Sequence, residues 1–124
     1  MPVYAYEFDY RQAPYYFPPM PGFTPLAAHT IDIQFLFPLW HGGILGVAHP
    51  LNAKETTLSD QLVGFWTKFA RDGNPNGGNN TGPWPQFTKP SPMMYSENLN
   101  SSPIAAGKFA DRHQCDFWNT ILVY

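Results

Sequence analysis

An α/β fold is what three stretches of this 124-residue chain predict together. Val3 to Phe8 is apolar at nearly every position. That is the pattern of a strand covered on both faces, as in a parallel sheet flanked by helices. Thr57 to Asp72 carries Leu58, Leu62, Phe65, Trp66, Phe69 and Ala70 at helical spacing, the pattern of a helix lying against such a sheet. Between them, Phe23 to Phe37 holds a histidine, His29, in a small-residue turn ahead of an apolar run.

Taken in order, Pro2 to Asp9 is the first strand, broken only by Glu7 near its end. Tyr10 to Pro25 has prolines at 14, 18, 19, 21 and 25, so no helical or strand period survives there. It reads as a long loop, either plainly exposed or forming a rim around a pocket. Thr30 to Leu39 is predicted to be a short helix closed by Pro38. Asp32 falls in its first turn, where a negative charge suits the helix dipole. His41 to Leu51 is a loop with glycines and two histidines. The helix over 57–72 has Thr57 and Asp60 in a capping-box arrangement, and Gly73 and Pro75 stop it. The aromatic face of this helix is expected to be core, as are Trp84 and Phe87. Pro92 to Glu97 and Pro103 to Ala106 are expected to pair as a hairpin. Phe109 to Leu122 reads as a final helix, with Phe109, His113, Phe117 and Ile121 four residues apart. No internal boundary divides residues 1–124.

Composition excludes some functions. Charged residues are 13% and net charge is −2, so no basic surface for nucleic acid is expected. No apolar run reaches about 18 residues, so no transmembrane helix is expected. No signal peptide is visible at Met1-Pro2-Val3, and the compartment is left unassigned. Cys115 is the sole cysteine, which excludes a disulfide within the chain. Set amid aromatics, it reads as a buried, inert thiol. Asn79 and Asn100 begin Asn-x-Ser/Thr triplets, common by chance. His41, His49 and His113 lack the paired spacing of a zinc site, so no metal is expected.

His29 is the residue with chemistry to offer. An imidazole can take and give a proton near neutral pH. A lone histidine beside an apolar run is more often structural. Here Ala27 and Ala28 leave room around it, and the preceding loop leaves the carboxyl end of a strand, where ligands of α/β sheets bind.

Five motifs occur in succession: Pro2-Val3-Tyr4 with Tyr6, Phe8 and Asp9; Ala27-x-His29-x-x-Asp32-Ile33-x-Phe35-Leu36-Phe37; Phe69-x-x-x-Gly73-x-Pro75-Asn76; Trp84-Pro85-x-Phe87; and Cys115-x-Phe117-Trp118. In this series the chain resembles the C-terminal part of the carboxylesterase type B family, which includes cholinesterases and para-nitrobenzyl-type bacterial esterases. The resemblance runs over nearly all of the chain but only about the last quarter of such a protein. It implies the C-terminal part of an α/β-hydrolase fold: the last sheet strands, the histidine loop and the C-terminal helices. It also implies a serine hydrolase of small carboxylic esters, with no cofactor. By position, His29 matches the triad histidine. Asp32 matches the acidic residue three places later and supplies a hydrogen bond or charge behind the pocket wall, a helix first-turn carboxylate, or both. Cys115 matches a cysteine that is disulfide-bonded in some cholinesterases, to a partner outside this chain.

The rest of such a site is not in these residues. No Gly-x-Ser-x-Gly elbow and no Gly-rich oxyanion loop occurs; Gly42-Gly43 is too short and too late. The expectation is that nucleophile and acid lie upstream of Val3, in a missing N-terminal part of the same fold, and that this chain alone is inactive. The strand at Val3 to Phe8 then lacks a partner on at least one edge, a template for association. The alternative reading is a non-catalytic, neuroligin-like binding or adhesion protein that keeps the fold without the chemistry.

Overall fold

The computed structural model describes the chain except residues 17, 19, 39, 41–45, 48, 79–81 and 122–124. The elements run β1 (Tyr6–Phe8), α1 (Ile33–Leu36), α2 (Ala53–Asp72), β2 (Met93–Glu97), β3 (Ser102–Ala105), α3 (Ala106–Arg112) and α4 (Cys115–Ile121). The sheet order is β1-β2-β3. β1 is parallel to β2, with Tyr6 opposite Tyr95 and Phe8 opposite Glu97. β2 and β3 form the expected antiparallel hairpin, with Met94 opposite Ile104. β1 therefore lies at one edge of the sheet, as expected for a strand short of a partner.

α2 is the mainstay of the packing. It starts four residues before the predicted start, because the cap is Asn52 rather than Thr57. The Asn52 side chain accepts from the Lys54 and Glu55 backbone N–H groups at 3.0 and 3.1 Å. Glu55 Oε2 accepts from the Asn52 N–H at 2.8 Å, which completes a capping box. Thr57 instead donates to the Ala53 carbonyl one turn back. Glu55 is also buried, and its Oε1 accepts from the Tyr10 hydroxyl at 3.1 Å, which ties the loop after β1 to the start of α2. Gly73 ends the helix at φ 69°, a left-handed position that suits glycine.

Leu58, Leu62 and Phe65 are the buried apolar face of α2. Leu58 and Leu62 pack with Tyr10 and Phe35, and Phe8 leans on this group. Phe65 packs with Trp84 and Tyr95, flanked by Tyr4 and Tyr6. Ring contacts at 5.3 to 5.8 Å join Phe65, Trp84 and Tyr95. The Asn76 side chain clamps the Trp84 backbone from both sides, accepting from its N–H at 2.6 Å and donating to its carbonyl at 2.8 Å. The Trp84 indole N–H donates to the Ala5 carbonyl at 3.0 Å. The Gly-x-Pro-Asn and Trp-Pro motifs are thus one packing unit.

Other expectations change. Trp66, Phe69 and Phe87 are exposed rather than core, although Trp66 and Phe69 each meet a tyrosine edge-on, Tyr6 and Tyr4, at 5.9 Å. The helix expected over 30–39 is a run of turns leading into the single turn of α1; Leu39 lies outside the described residues. The final helix is two, broken where Gln114 takes a positive φ of 52°. Its end at Leu122 lies outside the described residues. Phe117, Trp118 and Ile121 on α4 are more than half exposed, and Cys115 is only partly buried. Arg112 and His113 reach the opposite face of β1 from α2. Arg112 donates to Glu7 at 2.8 Å and to Asp9 at 3.0 Å, and His113 Nε2 lies 3.0 Å from Glu7.

Candidate active site

His29 sits in a turn spanning Ala28 to Ile31, closed by the Ile31 N–H donating to the Ala28 carbonyl at 3.2 Å. Thr30 follows with φ 72°, in the left-handed region. The imidazole is exposed. It lines an open cleft of about 340 Å³ with Tyr6, Glu7, Phe8, Ala28 and Asp32. The cleft therefore lies along β1, the strand from which the loop to His29 departs. No serine lines it among the described residues.

The turn is held from the side. The buried Tyr16 hydroxyl shares a hydrogen bond with the Thr30 hydroxyl. The buried Gln34 side chain donates to the Pro14 carbonyl at 2.6 Å. Ile31 is fully buried behind the turn. Ser59 on α2 donates to the Phe35 carbonyl at 2.5 Å, so the short α1 is anchored to the long helix. The proline-rich loop is thus partly core rather than simply a rim.

Asp32 is the N-cap of α1, but its side chain makes no capping hydrogen bond. It is partly buried on the same cleft as His29, and among the described residues no hydrogen bond joins the two. Its charge is felt by Tyr6. Burial first, then the Asp32 and Glu97 carboxylates, push the Tyr6 phenol above its ordinary value.

Sequence reasoning missed three residues here. Tyr16 and Gln34 carried no signal, because their partners lie 14 and 20 residues away. Glu97 was read only as the end of a hairpin strand. It is fully buried, with Oε2 accepting from Ser101 at 3.1 Å and Oε1 unpartnered among the described residues. Burial pushes its carboxyl up to about 7. A neighbouring cleft of about 490 Å³ is lined by Glu7, Asp9, Arg11, Arg112 and His113 among others, so His113 faces Glu7 and not His29. His49 is exposed and His41 lies outside the described residues. Among the described residues no group of three or more His, Cys, Asp or Glu could hold a metal ion. No helix among them is long and apolar enough to cross a membrane.

The profile of the carboxylesterase family matches residues 1–118. This chain belongs to that family. It is 34% identical over 120 residues to an acetylcholinesterase of Gallus gallus, covering 97% of this chain and 14% of the relative. It is 32% identical over 124 residues to carboxylesterase 5A of Mus musculus, covering 98% of this chain and 20% of the relative. Among solved structures, a PNB esterase superposes with a TM-score of 0.64 at 20% identity, covering 90% of this chain and 21% of that one. A carboxylesterase of Geobacillus stearothermophilus gives 0.62 at 24% identity, with the same coverage. This carboxylesterase-family chain thus spans a fifth or less of the curated relatives described, and its fold is a fragment of the α/β-hydrolase fold.

Proposed function

We propose that this chain is the histidine-bearing portion of a serine hydrolase of small carboxylic esters, and that His29 is its general base. The observation that carries this is the placing of His29. It stands in the family-matched stretch, exposed on a cleft along a strand that pairs in parallel with its neighbour. In the complete protein a serine from another part of the fold attacks the ester carbonyl. His29 takes the serine proton and passes it to the leaving alcohol, and water then releases the acyl group by the same route. An acid from outside this chain orients the imidazole. Asp32 adds negative charge on the cleft beside it. No serine lines the cleft among the described residues and no Gly-x-Ser-x-Gly occurs in the sequence, which supports the reading that the chain by itself is inactive.

His29→Ala in the full-length protein tests the reading. Turnover is expected to fall by on the order of 10⁴ to 10⁶, with the fold intact. Retention of more than about a tenth of wild-type kcat overturns it.

A further inference from the structure

The turn that carries His29 has an unusual occupant. In a four-residue turn closed between Ala28 and Ile31, His29 is the second residue and Thr30 the third. A positive φ at the third position is what a type II turn requires, and glycine or asparagine is usual there. Thr30 takes φ 72° with a β-branched side chain. Such a residue in this region is strained and persists only where its surroundings impose the conformation. Those surroundings are visible. The Thr30 hydroxyl is bonded to the hydroxyl of Tyr16, whose residue is 1% exposed. The Tyr16 ring packs edge-on against Trp40 at 4.6 Å, and its carbonyl accepts from the Val47 N–H at 2.8 Å. Tyr16 is therefore a fixed post, and Thr30 is tied to it.

We propose that Tyr16 and Thr30 are a positioning pair for His29: their hydroxyl–hydroxyl bond holds the left-handed backbone next to the histidine and so sets the direction in which the imidazole leaves the turn. The proposal rests on the reading of His29 as general base. Neither residue acts on a substrate itself; both act through the backbone of the turn.

The test uses the full-length protein and four variants. Tyr16→Phe removes one hydroxyl and keeps the ring. Thr30→Val removes the other and keeps the branched shape. Each is expected to lower kcat by about tenfold with KM nearly unchanged, because a misplaced base loses transition-state geometry and not substrate affinity. Thr30→Gly adopts the positive φ unaided and is expected to keep most of the activity. In the Thr30→Gly background, Tyr16→Phe is then expected to cost nothing more. Thermal midpoints check that each variant is folded, and Thr30→Val stands in if Tyr16→Phe is not. The pair is overturned if both hydroxyl deletions leave kcat within about twofold of wild type, or if Tyr16→Phe costs as much in the Thr30→Gly background as in the wild type. Failure of the general-base reading shows separately, as turnover that survives His29→Ala.

Discussion

The helix α2 and the histidine turn lie side by side, joined by the bond from Ser59 to the Phe35 carbonyl, yet they are held by different means. α2 is 20 residues long, capped at both ends by residues within or next to it, and it buries Leu58, Leu62 and Phe65 on one face. The turn has almost no regular structure. Beyond its own closing backbone bond, it is held by a bond from Thr30 to Tyr16 and, through Gln34 of α1, by one to Pro14, both far back along the chain. The scaffold is thus specified by local rules, and the candidate catalytic group by long-range contacts that fix one strained residue. Truncations that spare the helix can still lose the site.

The largest expected effect tests whether the two regions open together. Phe65→Ala removes the ring between Trp84 and Tyr95 and should cost about 3–5 kcal/mol. Amide hydrogen exchange should accelerate along α2 and β2. If the amides of Ile31 and Ile33 in the turn keep their protection, the regions are separate cooperative units. If they lose it equally, the contrast fails.

Glu97 comes next, since it is a charge problem inside the scaffold. Its carboxyl is raised from 4.5 to about 7 by burial, partly opposed by the hydrogen bond from Ser101. The Tyr6 and Tyr95 phenols lie within its field. A raised carboxyl favours the protonated form in the fold. Its contribution is full below about pH 4.5 and is lost as pH rises through about 7. The loss is on the order of 3 kcal/mol. Glu97→Gln should flatten the fall in thermal midpoint between those two pH values and raise the midpoint above pH 7. An unchanged profile would show that the carboxyl is solvated or paired in solution.

The smallest effect isolates a local rule. Asn52→Ala removes the acceptor for two α2 N–H groups and should cost about 1 kcal/mol. Exchange should quicken in the first turn of α2, while kcat of the full-length protein stays unchanged. A drop in kcat would mean that the cap also supports the turn, through Glu55 and Tyr10.

Much was legible in the residues alone. The 3.6-residue stripe on α2, the hairpin and the break at Gly73 each depend on neighbours within a few positions, where periodicity and turn chemistry act; the strand expected over Val3 to Phe8 with both faces covered is instead only Tyr6–Phe8, partly buried throughout, and Val3 is exposed. Tertiary structure decided what sequence distance conceals. The cap at Asn52 is a local capping box, but its Glu55 also accepts from the Tyr10 hydroxyl 45 residues away, a tie that sequence spacing conceals. The last helix split because its apolar residues meet little in this chain, and Gln114 turned left-handed. Trp84 entered the core because Asn76 satisfies its backbone. Thr30 holds a conformation its own side chain disfavours because Tyr16, buried in a loop of prolines, is in place to bind it. Local rules reach only neighbours within a few positions, and Trp84 and Thr30 are set by partners that folding brings near.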